Sequence, residues 1–265
     1  MSTARLAMIL VLGGTLTGCG GGYMTAPPPV PPATPDAGIS GQYSLMLTSA
    51  NGRGTTNIYT NFKQTGKTLA GAANTLVCPS NDPANCEGNN ASAVTITSTG
   101  TVNGANVTLI VSYPRSGASD TVTLVGTATG VNLAGTYTDS LGDAGSWDAT
   151  SASPVSGGYS GTFNSTSNPL PITPNITITL TQNANFQLTG TATITNSPCI
   201  SSLTFSGQAI GGAFSLSDSV NGAALVTLPD GNNFNFSYNF DPTAAHCAGD
   251  FGRGVVVPNK GPWDY

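Results

Sequence analysis

Charge is what this 265-residue chain lacks most: 7 Lys and Arg with 12 Asp and Glu make up 7% of it, against roughly a quarter in ordinary soluble domains. Glu occurs once, at Glu87, and His once, at His246. With Met at four and Gln scarce as well, the residues that build long surface helices are missing. A net charge of -5 cannot neutralise a polyphosphate, so nucleic acid is excluded as a natural partner. One His and one Glu leave little for acid–base catalysis or a zinc site, and the expectation is no enzyme activity, no metal and no cofactor.

In place of charge the chain carries 37 Thr, 34 Gly, 26 Ser, 23 Asn and 18 Pro. Thr suits the pleated, half-buried surface of a strand, and Gly, Asn, Ser and Pro suit turns. This composition points to an all-β protein exposed to the cell envelope.

The amino terminus carries a targeting pattern. Arg5 supplies a short positive region, and Leu6 to Leu16 is an apolar run too short to cross a bilayer as an ordinary helix. It ends in Leu16-Thr17-Gly18-Cys19. This resembles the lipobox of bacterial lipoproteins, an apolar residue and two small ones before a Cys. The resemblance implies a signal peptide over 1–18, cleavage after Gly18 and lipidation of Cys19 with palmitate-type acyl chains. Two or more such chains hold a protein stably where one does not. Gly20 after the Cys, rather than Asp, implies the outer membrane under enterobacterial sorting rules. Residues 19–38 continue as a Gly- and Pro-rich linker, favouring an extended tether of about 3 Å per residue. Without Arg5 the mature chain is more acidic still, so membrane attachment is expected to rest on the lipid at Cys19 alone.

Setting Cys19 aside leaves Cys78, Cys86, Cys199 and Cys247. An even number in an exported chain reads as disulfides, with three pairings open. We favour Cys78–Cys86, closing the loop CPSNDPANC, and Cys199–Cys247.

After the linker the chain repeats itself. Ile39-Ser40-Gly41-Gln42-Tyr43-Ser44 returns as Val155-Ser156-Gly157-Gly158-Tyr159-Ser160, and Phe62-x-Gln64 with Leu69-Ala70-Gly71 returns as Leu180-x-Gln182 with Leu188-Thr189-Gly190. Gly100, Val107 and Leu109 fall opposite Gly207, Phe214 and Leu216. At the end, Ala144-Gly145-Ser146-Trp147 is set opposite Ala248-Gly249-Asp250-Phe251, which puts Asp143 against Cys247. Missing such a repeat would misassign the whole fold. Alternation and turn residues predict eight strands per copy: near 41–49, 55–64, 67–77, 92–102, 105–113, 119–129, 131–139 and 144–150, then 157–166, 174–182, 185–196, 201–210, 212–220, 223–229, 232–240 and 247–257. Tight turns are expected at Thr65-Gly66, Asn103-Gly104, Asn221-Gly222 and Asp230-Gly231.

Eight hairpin-linked strands in about 110 residues suit a small up-and-down barrel, since closure removes exposed edges. The fold expected is therefore all-β: two tandem antiparallel eight-stranded β-barrel-like domains over 39–153 and 154–258, with a tail at 259–265. A pair of β-sandwiches is the alternative. The opening Gly-x-Tyr-Ser and the Leu-x-Gly strand resemble small avidin-like and lipocalin-like barrels and the Gly/Thr-rich repeat lipoproteins of soil bacteria. Avidins carry Trp where Tyr43 and Tyr159 stand, so a biotin pocket is not implied.

Few residues offer chemistry. Gly66-Lys67-Thr68 is the end of a P-loop pattern, but position 61 is Asn where that motif needs Gly, and the stretch reads as a hairpin. His246 beside Cys247 would need both side chains on one face, which adjacent strand residues do not share. Asp139, Asp143 and Asp148, and Asp241 with Asp250, form loose acidic groups that could suit Ca²⁺ or glycoside cleavage, and turn formation explains them better. Phe234, Phe236, Tyr238 and Phe240 alternate along one strand and share one face. They are the candidate wall of a ligand cavity, since an eight-stranded barrel can hold a small molecule.

The functional expectation is a non-enzymatic envelope lipoprotein that binds a small apolar ligand or a glycan. A purely structural or adhesive protein is the first alternative and a carboxylate-dependent hydrolase the second. Its partners would be the membrane, through Cys19, and a small ligand or an envelope protein.

Overall fold

The computed structural model describes residues 35–71, 75–78, 96–115, 118–166, 173–198, 200–230 and 232–259. The lipobox with Cys19, the loop carrying Cys86 and Glu87, Cys199, Gly231 and Trp263 lie outside the described residues. Within them the chain forms seventeen strands and no helix. The first nine are β1 (Gly41–Ser49), β2 (Thr55–Thr65), β3 (Thr68–Gly71), β4 (Leu76–Cys78), β5 (Thr97–Asn103), β6 (Asn106–Arg115), β7 (Ala118–Thr129), β8 (Asn132–Asp139) and β9 (Ala144–Ser151). The second eight are β10 (Gly157–Ser165), β11 (Asn175–Gln182), β12 (Gln187–Thr195), β13 (Ser202–Ile210), β14 (Ala213–Asp218), β15 (Ala223–Asp230), β16 (Asn233–Phe240) and β17 (Phe251–Pro258).

Both sets close into antiparallel barrels. The second runs β10 to β17 in order, with β17 pairing back on β10. In the first, β1 pairs with both β2 and β9, which closes a ring of eight strands, while β4 is a ninth strand on the edge of β2. The burial of β11 alternates strictly, with Ile176, Ile178 and Leu180 inside and Thr outside. This is the period of two that a one-sided sheet requires. Turns at 65–66, 103–104 and 221–222 carry Gly66, Gly104 and Gly222 at φ of 56°, 61° and 64°.

Two expected strands are corrected. The stretch 67–77 is not one strand, because the eleven-residue β2 offers one edge to two partners. β3 takes Phe62–Thr65 and β4 takes Asn57–Tyr59. At the break, the buried hydroxyls of Thr60, Thr75 and Ser98 satisfy one another at 2.8–3.3 Å. The last strand starts at Phe251, not at 247. Residues 241–250 form a folded turn, in which the Ala244 and Gly249 N–H groups donate to the Asp241 carbonyl and Cys247 sits at φ 52°.

The two barrels use one register, which also corrects the alignment at their ends. Ser49 faces Gly145 across the first closing seam, and Ser165 faces Gly252 across the second. Asp143 therefore corresponds to Asp250, not to Cys247, and Trp147 corresponds to Gly254. A reciprocal clamp recurs as well. The Gln64 side chain accepts from the Ile39 N–H, and the Gln64 N–H donates to Ser40 Oγ. Gln182, Val155 and Ser156 do the same in the second barrel.

Each barrel has its own core, the first around Tyr43, Phe62, Leu109 and Trp147, the second around Tyr159, Phe205, Phe214 and Phe236. A third apolar cluster joins Tyr59, Leu76 and Cys78 of the first to Ile210, Ala213, Val226 and Leu228 of the second. There Asn61 Nδ2 donates to the Ala209 carbonyl (2.6 Å), and the Gly211 N–H donates to Asn61 Oδ1 (3.0 Å). Gly211 has φ 59°, and a Cβ there would sit 2.2 Å from the Tyr43 carbonyl oxygen, so only Gly lets the β13–β14 tip lie against β1 and β2.

A candidate ligand cavity in the second barrel

The difference between the barrels that matters most is where each places its bulk. In the first barrel Gly135 on β8 pairs with Trp147 on β9, and the indole is fully buried with Nε1 donating to the Val125 carbonyl (3.2 Å). The corresponding pair in the second barrel is Phe236 on β16 and Gly254 on β17. Size is exchanged across the same pair: the Phe236 ring lies over Gly254, so close that a Cβ on Gly254 would be 2.3 Å from Cζ. The smaller Phe ring takes the place of an indole.

The second barrel holds a cavity of about 300 Å³. Its wall comes from Phe163 on β10, Ile176 on β11, Ile194 on β12, Leu203 and Phe205 on β13, Leu225 on β15, and Phe236, Tyr238 and Phe240 on β16. Residues Ser197, Pro198 and Ile200 of the β12–β13 loop and Cys247 to Asp250 of the β16–β17 loop form its mouth. A mostly apolar concavity of this size with a few converging polar groups is the usual form of a small-molecule site.

Three of the four aromatic residues singled out on β16 line this cavity, and Phe234 does not. The reason is height. Six residues of strand span about 20 Å, so a row that shares a face cannot share one end of a barrel. Phe234 packs at the opposite end, its ring 5.4 Å from Tyr159 edge-on and 5.5 Å from Phe214. That trio closes the barrel floor, with Tyr159 Oη donating to the Val155 carbonyl (2.7 Å). Burial pushes the Tyr159 hydroxyl up to about 12.

The polar group at the mouth is Asp250. Ser165 Oγ donates to its Oδ1 and Tyr238 Oη to its Oδ2 (3.2 Å). The first barrel repeats this set at corresponding positions: Ser49 Oγ donates to Asp143 Oδ1 (2.8 Å) and Tyr137 Oη to Asp143 Oδ2 (3.1 Å). Asp143 also accepts from Asn51 Nδ2 (3.1 Å) and the Ala144 N–H (2.9 Å). Burial pushes the Asp143 carboxyl up, but the four donors outweigh it and hold the group below the ordinary carboxylate value. Burial, then the Asp250 charge, pushes the Tyr238 hydroxyl well above the ordinary phenol range, so it remains a donor.

The other sequence-nominated groups do not converge. Asp139 accepts from the Leu141 and Asp143 N–H groups, and Asp241 from the Thr243 N–H and hydroxyl, both closing turns. Asp148 is exposed on β9, and His246 is exposed in the β16–β17 loop, not a strand. Among the described residues no group of three His, Cys, Asp or Glu could hold a metal ion. Cys78 and Cys247 are disulfide-bonded. Asp250 at a cavity mouth was obscured in the sequence by a three-residue misalignment of the last strands; the signal that aligns it is the Asp-x-Gly shared by Asp143-Ala144-Gly145 and Asp250-Phe251-Gly252.

No protein-family model and no curated protein matches the chain. A solved structure similar to it is that of Burkholderia oklahomensis agglutinin (BOA), at 13% identity, covering 85% of this chain and 98% of that chain with a TM-score of 0.21. A likeness that loose carries no functional weight, and the site stands on its own geometry.

Proposed function

We propose that the chain is an outer-membrane lipoprotein, held by acyl chains on Cys19, whose second barrel binds a small, mainly apolar ligand without chemical turnover. The observation that carries the reading is the cavity of about 300 Å³ inside that barrel, walled by Phe, Leu and Ile. Burying an apolar molecule there gains roughly 25 cal/mol per Å² of surface removed from water. A glycan is less well served, because each buried sugar hydroxyl needs a partner and the wall offers few. The exposed position of His246 and the structural partners of Asp139, Asp143 and Asp241 support a reading of binding without turnover. We further propose that the disulfides are Cys78–Cys86 and Cys199–Cys247, the second tying the β12–β13 loop to the β16–β17 loop across the cavity mouth.

The test is titration of the protein with the neutral fluorophore N-phenyl-1-naphthylamine. A saturable, blue-shifted signal is expected. Ala223→Leu, which fills the wall from β15, should weaken it at least tenfold. Binding that is absent, or unchanged in the variant, overturns the reading.

A further inference from the structure

The cavity has a chemical polarity beyond its apolar wall. Among the described lining residues Asp250 is the single carboxylate, and there is no Lys, Arg or His. The remaining polar atoms at that end belong to Ser165, Ser197 and Tyr238. Ser165 and Tyr238 both turn their hydroxyls to Asp250 and donate to its two carboxylate oxygens. The same barrel end carries further negative charge: Asp218 is buried below the β14–β15 turn and held below the ordinary carboxylate range, where burial pushes it up but donors from Asn221, Thr204 and Val220 prevail. Asp241 lies in the β16–β17 loop beside the mouth. The basic groups nearby in sequence do not line the cavity. Arg253 falls on the exposed face of β17, and His246 is exposed in the loop and does not line the cavity.

The first barrel shows what the same triad does when it is purely structural. Asp143 is buried there and takes four donors, two of them from Asn51 and its own neighbour's N–H. In the second barrel the corresponding carboxylate forms part of a cavity wall.

Resting on the proposed function, we infer that this site selects an amphiphile with an apolar body and a cationic amine head, the head seated at Asp250 and the body among Phe163, Phe205, Leu225 and Phe236. An apolar molecule with a carboxylate head is rejected by the same feature. Like charges brought together in a poorly solvated cavity repel strongly, and opposite charges attract by the same amount. The site therefore discriminates between a fatty amine and a fatty acid of equal length, which apolar area alone cannot do.

The experiment measures the affinities of octylamine, octan-1-ol and octanoate, below their micellar range, by isothermal titration at pH 8. Octylamine is expected to bind at least tenfold more tightly than octanoate, with octanol between. In Asp250→Asn that ratio should fall to about twofold. Because Asp250 also joins Ser165 and Tyr238, a second variant leaves the triad intact: Ala248→Lys, at an exposed mouth position, should cut the preference for octylamine over octanoate at least threefold. Equal affinities for amine and carboxylate, with octanol bound, overturn this inference and leave the apolar site standing. If none of the three binds, the inference and the proposed function fall together.

Discussion

Phe236 lies directly over Gly254, its ring filling the space where a side chain on Gly254 would have to go. The first barrel assigns bulk to the other strand of that pair, with Gly135 opposite Trp147 and the indole lying against Gly126 of β7. One strand pair carries two assignments of bulk, and the second barrel, with the smaller ring, holds a cavity of about 300 Å³.

The exchange can be rebuilt. Gly254→Trp alone should destabilise the second barrel by about 1–3 kcal/mol or more, because the indole and the Phe236 ring compete for one volume. Adding Phe236→Gly should restore part of that loss, a coupling that a double-mutant cycle reads directly. The recovery is partial because the first-barrel indole also lies against Gly126, where the second barrel has the buried Thr227. The double variant should keep its β-type circular dichroism yet bind N-phenyl-1-naphthylamine at least tenfold more weakly.

Asp143 sets an acid limit on the first barrel. Its folded-state value is depressed, so its contribution is fully present above the unfolded value of about 3.9 and is lost as pH falls through the lower folded value. Asp143→Asn should therefore cost roughly 1–3 kcal/mol at pH 7, in line with hydrogen bonds to a charged group. Wild-type and variant stabilities should converge on acidification below about pH 4. Urea unfolding across pH 2–7 measures this, and a constant gap between the two curves would contradict it.

Asn61 is the polar hinge between the barrels, accepting from Gly211 and donating to Ala209. Asn61→Ala leaves a buried carbonyl and a buried N–H without that partner, at about 1–3 kcal/mol for the groups exposed to the loss. Calorimetry should show one unfolding transition of the wild type separating into two, since the damage falls between the cores and not within either. Gly211→Ala should act the same way for a steric reason.

The oxidised state of Cys247 at the cavity mouth bears on both stability and binding. Non-reducing peptide mapping should recover Cys199 joined to Cys247, closing a loop worth about 4 kcal/mol in the chain-entropy model. Cys247→Ser should lower the thermal midpoint and weaken fluorophore binding. A free thiol at either position contradicts the pairing.

Membrane attachment has a separate test. Cys19→Ala should move the protein from the membrane fraction to the soluble one, and continued attachment would overturn the lipid anchor.

Much of this molecule was written in local pattern. The Ile-Thr alternation of β11, the Gly-containing turns at 65–66, 103–104 and 221–222, and the twofold recurrence of Gly-x-Tyr-Ser determine strands, hairpins and two all-β units, because side-chain period and positive φ are properties of a few neighbouring residues. Pattern could not decide which residues meet across a closed barrel. The last strand begins at Phe251 because residues 241–250 fold on Asp241, and only the pairing of Ser165 with Gly252 brings Asp250 into line with Asp143. Likewise Phe234 and Phe236 look alike in sequence, yet about 7 Å of strand rise sends one to the floor and the other to the cavity. Register and height are set by contacts between residues more than seventy positions apart, and those are fixed only when the barrel closes.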